Sequence, residues 1–137
     1  MRDPSMYEPL LGDPSGHDLS RRARGAWGEG RAAGHLRALG FTVVDRNWRP
    51  PERELRGDLD VVARRGDLIV FCEVKARRRP LHGGAAAAVD GLKQQRVRDL
   101  AASWLRQRGL AGADDLELRF DVIAIDGVTL THHRGAF

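Results

Sequence analysis

Residues 57–75 constrain the fold more than any other part of the chain. They contain two runs rich in β-branched and apolar residues, and the tripeptide Arg65-Gly66-Asp67 separates the two runs. A glycine followed by an aspartate between two such runs is a signal of a tight β-hairpin turn. The stretch therefore predicts two antiparallel strands.

The position of the turn decides which side chains meet across this hairpin. With Gly66 and Asp67 as the turn residues, Asp60 lies opposite Glu73, and their Cβ atoms are about 4.5 to 5.5 Å apart. A turn one residue earlier makes the two acids diagonal neighbours on the same face, and only a three-residue loop puts them on opposite faces. Two like charges side by side destabilise a sheet unless something positive lies between them.

Lys75 completes a cluster of charged side chains on this face. Side chains alternate along a strand, so Lys75 shares a face with Glu73. Two carboxylates suit Mg²⁺ or Mn²⁺, and a nearby ammonium can orient a metal-bound water and neutralise charge on a phosphoryl group. The pattern predicts phosphodiester hydrolysis, with Asp60 and Glu73 as metal ligands; the alternative is a surface hairpin with salt bridges.

Length and composition indicate one soluble domain. A chain of 137 residues is long enough for one substantial core. Residues 1–20 hold three prolines and two glycines, which predicts a flexible tail before a domain at 21–137. No apolar run approaches the ~20 residues of a membrane span, and the single cysteine, Cys72, favours a reducing cytoplasm.

The charge pattern is compatible with a nucleic-acid partner. The formal net charge is +4 and the pI is near 10.2, which favours association with polyanions. Nearly all of the Lys and Arg positions are arginine, and Lys75 and Lys93 are the only two lysines. A lysine kept in such a chain suggests a function that needs a compact ammonium with an adjustable pKa.

A first helix is predicted over residues 21–39, closed by Gly40. Glu29 lies at one end of its apolar stripe, and a carboxylate there needs a cation or several donors. Glu29 is therefore predicted to be a third acid at the metal site, or to pair with an arginine at the helix edge. The rest of the stripe is Ala32, Ala33, Leu36 and Leu39.

A second helix is predicted over residues 85–108. Lys93 lies four residues from both Val89 and Val97 and so on the inward face. Near the start of the helix, Lys93 could reach a phosphate, or it could snorkel at the edge of the core. Trp104 is predicted to be a core residue.

Arginines on either side of the hairpin are candidate contacts to a nucleic-acid backbone. Arg49 precedes a proline-led loop, and Arg77, Arg78 and Arg79 follow Lys75 directly. Such contacts neutralise phosphate charge and do not read bases. With Lys93, they form the predicted nucleic-acid-binding set.

Three further strands complete the pattern. Residues 41–44 and 116–125 read as strands, and the turn Asp126-Gly127 leads into a returning strand at 128–131. Asp121 could join the acid cluster, but a pair with an arginine is favoured. His132 and His133 are adjacent and point to opposite faces, which disfavours a shared metal ion.

Six short motifs lie between about residue 27 and residue 137: Gly28-Glu29, Arg46-Asn47-Trp48-Arg49, Gly57-Asp58-Leu59-Asp60, Phe71-Cys72-Glu73-Val74-Lys75, Arg119-Phe120-Asp121-Val122 and Ala136-Phe137. These motifs and the order of elements resemble the YraN-like family of bacterial predicted nucleases. The chain also resembles the PD-(D/E)XK superfamily and, within it, archaeal-type Holliday junction resolvases.

The resemblance implies a restriction-endonuclease-like α/β fold, with an α-β-β-β-α-β core and a mixed central sheet flanked by helices. It implies a Mg²⁺- or Mn²⁺-dependent nuclease acting on DNA, including branched recombination or repair intermediates. Asp60 and Glu73 would hold the metal, Glu29 a second metal or a metal-bound water, and Lys75 would orient the attacking water. Resolvase likeness also suggests a homodimer, because cutting two symmetric strands needs two sites.

Two departures from the family pattern concern the neighbourhood of the site. The family usually has Glu where this chain has Asp58, and the loop at residues 50–55 is longer than usual. The alternative function is a nucleic-acid-binding accessory module that keeps the fold and cuts nothing.

Overall fold

The computed structural model describes residues 20–77 and 90–137, which form two helices and one five-stranded sheet. In chain order the elements are α1 (Ser20–Ala38), β1 (Thr42–Trp48), β2 (Leu59–Arg65), β3 (Leu68–Arg77), α2 (Gly91–Gln107), β4 (Glu117–Asp126) and β5 (Thr129–His133). The predicted tail lies outside the described residues, except for Ser20, which begins α1. None of the helices described is long and apolar enough to cross a membrane.

The sheet is mixed, as the sequence predicts. Its strands lie in the order β1-β2-β3-β4-β5, and every neighbouring pair is antiparallel except β3 and β4, which are parallel. The predicted α/β fold with a mixed central sheet is therefore confirmed, and the arrangement is consistent with a restriction-endonuclease-like core.

The hairpin of β2 and β3 has the first of the predicted registers. Arg65 lies opposite Leu68 and Val61 opposite Cys72, and the turn between the strands contains Gly66 at a φ of +61°. Glycine adopts this left-handed conformation without steric cost. Continued by one residue beyond Val61 and Cys72, the register places Asp60 beside Glu73.

The two helices cover opposite faces of the sheet. On one face, Trp27 and Leu36 of α1 pack against a cluster that includes Val70 and Ile123. On the other face, Trp104 of α2 packs with Phe71, Leu59 and their neighbours. The prediction that Trp104 is a core residue is confirmed, since its side chain is buried and its Nε1 donates to Asp45 at 2.7 Å.

Several element boundaries differ from the predicted ones. Strand β1 does not end near residue 44, because it pairs with β2 as far as Trp48 opposite Leu59. Helix α2 begins at Gly91 and not at residue 85, because Asp90 is extended and its side chain accepts the Lys93 N–H at 2.9 Å. The last turn is not Asp126-Gly127, because Asp126 still pairs with Thr129.

Gly28 sets how closely α1 approaches the sheet. A Cβ atom added at Gly28 would lie 2.5 Å from the Cβ of Ala76 on β3. That separation is far inside van der Waals contact, so only glycine permits this approach. Glu29 follows directly in the chain, and the close contact therefore fixes the position from which its carboxylate extends.

The Gly28→Ala substitution is expected to lower the free energy of unfolding by about 1 to 3 kcal/mol, the cost typical of overpacking. Gly25→Ala is the matched control on the same helix, because a Cβ there meets nothing within 4 Å. Alanine is the better helix former, so the control should be stabilised by up to about 1 kcal/mol. Urea denaturation followed by circular dichroism measures both, and equal changes in the two variants would contradict the close approach.

Candidate metal centre

Asp60 and Glu73 form the centre of the site. They lie on the neighbouring strands β2 and β3, and Asp60 accepts the backbone N–H of Val74 on its Oδ2 at 2.9 Å. The side chain of Glu73 is only 3% exposed. Two adjacent carboxylates are thus held largely away from solvent at one end of the hairpin.

The pKa of Asp60 shows how unfavourable two charges are in this position. Burial, followed by the negative charge of Glu73, raises the pKa of Asp60 to about 8, against the opposing effect of the Val74 hydrogen bond. Glu29 and Asp58 add further negative charge nearby. Asp60 is therefore ionised at neutral pH only if a cation compensates its charge.

The chain's two lysines both lie at this centre. Lys93, near the start of α2, places its Nζ 3.2 Å from Glu73 Oε1, so its side chain pairs with an acid of the site. Glu73 raises the pKa of Lys93 despite partial burial, which alone would lower it. Burial, and then the charge of Lys93, lower the pKa of Lys75.

Glu29 reaches the same region from α1. Its carboxylate is half-buried, and this burial raises its pKa, with the charges of Asp58 and Glu73 acting in the same direction. A hydrogen bond with Asn47 and the charge of Arg46 act in the opposite direction. The two interpretations of Glu29 are therefore compatible, since it interacts electrostatically both with the acids and with an arginine.

Asn47 is a site residue for which the sequence predicted no role. It has a φ of +50° and is the only residue other than glycine with a positive φ in the described ranges, and its side chain holds Glu29. Asparagine tolerates this left-handed conformation better than most residues. In the sequence, Asn47 is marked only by its place in Asn47-Trp48, shortly before a proline-led loop. This local pattern does not indicate a contact with Glu29.

The donor set fits a divalent cation with two protein carboxylates. The contacts above use one oxygen of Asp60 and one of Glu73, and each carboxylate has a second oxygen. Mg²⁺ commonly binds one or two carboxylates and keeps several waters. Within residues 20–77 and 90–137 no three His, Cys, Asp or Glu side chains are grouped to hold one ion together. The predicted contact of Glu29 with a second metal or a metal-bound water stays a prediction.

The predicted nucleic-acid contacts are dispersed. Arg49 is exposed and directly follows β1. Arg77 ends β3 and pairs with Asp126 at 3.1 Å, while Arg78 and Arg79 lie outside the described residues. The contacts of all four with nucleic acid stay predictions.

Asp121 is separate from the acid cluster and pairs with an arginine, as favoured from the sequence. Arg119 donates to both of its oxygens at 2.8 Å, and His132 Nε2 lies 2.7 Å from Oδ2. The second nitrogen of His132 faces His35 at 3.1 Å. These contacts account for His132 within the fold, without His133.

Known proteins of similar sequence identify the family. The family model described as the uncharacterised protein family UPF0102 matches residues 28–125. The chain belongs to the UPF0102 family. The matched range includes Glu29, Asp60, Glu73 and both lysines.

Relatives cover most of the chain. A UPF0102 protein of Frankia casuarinae is 43% identical over 123 residues, which is 86% of this chain and 98% of the relative. One of Acidothermus cellulolyticus is 41% identical, with coverage of 90% and 99%. One of Streptomyces coelicolor is 39% identical, with coverage of 93% and 92%. The chain is therefore similar to UPF0102 proteins over nearly their whole length.

The raised pKa of Asp60 predicts an unusual pH dependence of stability. The folded protein retains a proton on Asp60 up to a pH of about 8, whereas the unfolded chain loses it near the ordinary value of 3.8. Without metal, the folded state binds more protons between these values, so stability falls as pH rises through that window. Asp60→Asn removes this penalty and should melt at a higher temperature than the wild type at pH 8, with the gap shrinking towards pH 4.

Thermal denaturation in EDTA at several pH values measures the gap. Asp114→Asn is the control, because Asp114 is exposed in a loop and should leave the melting temperature nearly unchanged throughout. A gap between Asp60→Asn and the wild type that does not vary with pH would contradict the assignment.

Proposed function

We propose that this UPF0102 protein is a Mg²⁺- or Mn²⁺-dependent nuclease of the PD-(D/E)XK type that hydrolyses phosphodiester bonds in DNA. The observation that carries the proposal is the pair of adjacent carboxylates, the partly buried Asp60 and the buried Glu73, with Lys75 following Glu73 on β3. A purely structural hairpin gains nothing from placing two acids together in a position where ionising both is costly. The resemblance to the YraN-like predicted nucleases supports the same conclusion.

Each residue has a role that its surroundings allow. A bound divalent cation would polarise the phosphoryl oxygens and favour deprotonation of a water. Asp60 and Glu73 would hold the cation, and the Val74 N–H fixes the rotamer of Asp60. Lys75 positions the attacking water at its Nζ, and its lowered pKa increases the fraction of neutral amine that can accept a proton.

Two further residues support this centre. Lys93 is already paired with Glu73, so it orients that carboxylate. Glu29, held by Asn47, would accept a hydrogen bond from a metal-bound water.

The Lys93–Glu73 ion pair also favours a second candidate function. A lysine that neutralises one acid lowers the need for a metal, as expected of a nucleic-acid-binding module that has the fold and no activity. Branched DNA as the substrate, a homodimer and a cytoplasmic location stay predictions under either function.

The test is cleavage of a panel of labelled duplex, single-stranded, flap and four-way-junction DNAs in Mn²⁺, Mg²⁺ or EDTA. The wild type is compared with the Glu73→Ala, Lys75→Ala double variant. Metal-dependent cutting that the double variant lacks supports the nuclease and names the substrate shape. If neither protein cuts and both bind the DNAs equally, the nucleic-acid-binding module replaces the nuclease as the proposed function.

A further inference from the structure

The loop between β1 and β2 encloses a basic concavity beside the candidate metal centre. We call residues 49–57 the arginine loop. All of them except Glu54 line a cavity of about 510 Å³, and three exposed arginines, Arg49, Arg53 and Arg56, lie around it. No role in the proposed reaction has been given to this cavity.

The acids of the loop compensate its positive charge only in part. Glu52 is the one acid in the lining, and its two oxygens are occupied by Ser103 and Arg106 of α2, each at 2.7 Å. Glu54, the other acid of the loop, is exposed and is not part of the lining. Of the ion pairs formed within residues 20–77 and 90–137, none uses Arg49, Arg53 or Arg56. Three guanidinium groups are therefore available to an anion.

Residues along one face of α2 contact both the arginine loop and the acid centre and so fix their relative positions. Positions 93, 96, 100, 103 and 106 follow helical spacing along one face. Lys93 contacts Glu73, and Ser103 and Arg106 hold Glu52. Between them, Arg96 and Leu100 lie against Gly57, where an added Cβ would meet Arg96 Cδ at 3.4 Å and Leu100 Cδ1 at 3.7 Å.

The distance from the cavity to the acid centre corresponds to a few nucleotides along a nucleic-acid strand. Gly57 lines the cavity, and Asp60 follows it by three residues, so their Cα atoms are at most about 10 Å apart. A strand of duplex DNA rises about 3.4 Å per nucleotide. The cavity therefore lies within a few nucleotides of a phosphate bound between Asp60 and Glu73.

We propose that the arginine loop binds backbone phosphates of the nucleic-acid strand next to the bond that is cut. Arginine matches phosphate oxygens with paired N–H donors, and a loop fixed by α2 loses little entropy on binding. The contacts are independent of base sequence. This inference rests on the proposed function for the position of the cut, but the binding itself needs no metal.

Fluorescence anisotropy with a short labelled single-stranded DNA in EDTA tests the binding. Arg49→Gln, Arg53→Gln is compared with Arg37→Gln, Arg134→Gln, which removes the same charge from exposed positions on α1 and after β5. The loop variant should bind at least about tenfold more weakly. The slope of log affinity against log salt should fall by about 1.4, or about 0.7 for each lost contact on a single strand.

A charge-keeping variant separates phosphate contact from a change in folding. Arg49→Lys, Arg53→Lys should keep most of the salt dependence, because lysine also binds phosphate as a point charge. If the glutamine loop variant binds like its control, or if the wild type does not bind this DNA at all, the proposal is overturned.

The same variants distinguish a failure of the loop assignment from a failure of the nuclease proposal. If the wild type binds DNA through the loop and never cuts it, the loop assignment stands and the nuclease fails. If the wild type cuts and the loop variant binds and cuts like the control, the nuclease stands and the loop assignment fails.

Discussion

The Asp60→Asn variant is expected to cut DNA at least about a thousandfold more slowly than the wild type, a loss of about 4 kcal/mol of transition-state stabilisation. Asparagine keeps the size of the side chain and an oxygen that can accept the Val74 N–H, but it removes the negative charge that holds a divalent cation. DNA binding in EDTA should be unchanged or slightly stronger, because a carboxylate near the phosphates is lost.

Initial cleavage rates in Mn²⁺, on the DNA of the panel that the wild type cuts fastest, measure this effect. Asp114→Asn, an exposed loop acid, should cut like the wild type and controls for the general loss of one carboxylate. If Asp60→Asn retained a tenth or more of the wild-type rate, Asp60 would not be a metal ligand.

Lys75→Met is expected to lower cleavage by about a hundred- to a thousandfold, within the range typical of a group that transfers or positions a proton. Methionine replaces the buried stem of Lys75 and removes the ammonium. Lys75→Arg should not restore the rate, because a guanidinium does not release its proton and is larger and planar. Metal binding and DNA binding should both survive in the two variants.

Lys93→Met is the comparison that separates the two lysines. Lys93 contacts Glu73 and orients that ligand. We expect the loss of this orientation to outweigh the removal of a competing positive charge, so metal binding should weaken and be partly compensated by more Mn²⁺. The rate lost in Lys75→Met should not return at any Mn²⁺ concentration. If extra Mn²⁺ rescued both variants equally, Lys75 would serve only as a counter-charge.

The central hairpin could be predicted because its signals are local. A two-residue Gly-Asp turn fixes the register, and alternation along β3 then places Lys75 on the face of Glu73. The inward position of Lys93 followed in the same way from helical spacing. These features depend on residues near one another in the chain, where the geometry of the backbone leaves few alternatives.

The features that the sequence did not predict depend on distant pairing. Arg77 pairs with Asp126 because β3 and β4 run parallel with those two residues opposite each other, and no short-range pattern fixes that register. Asn47 meets Glu29 only once Gly28 brings α1 against β3. The alanine run at 85–88 has high helix propensity and so predicts an earlier start for α2. The capping contact of Asp90 fixes the helix start at Gly91.

The most direct test of a divalent cation between Asp60 and Glu73 is calorimetric titration of Mn²⁺ into the wild type, Asp60→Asn and Glu73→Gln, with Asp114→Asn as the control. We expect saturable binding to the wild type and the control, and its loss in both site variants. Equal Mn²⁺ binding by all four proteins, or no binding by the wild type, would contradict a metal centre on these two carboxylates.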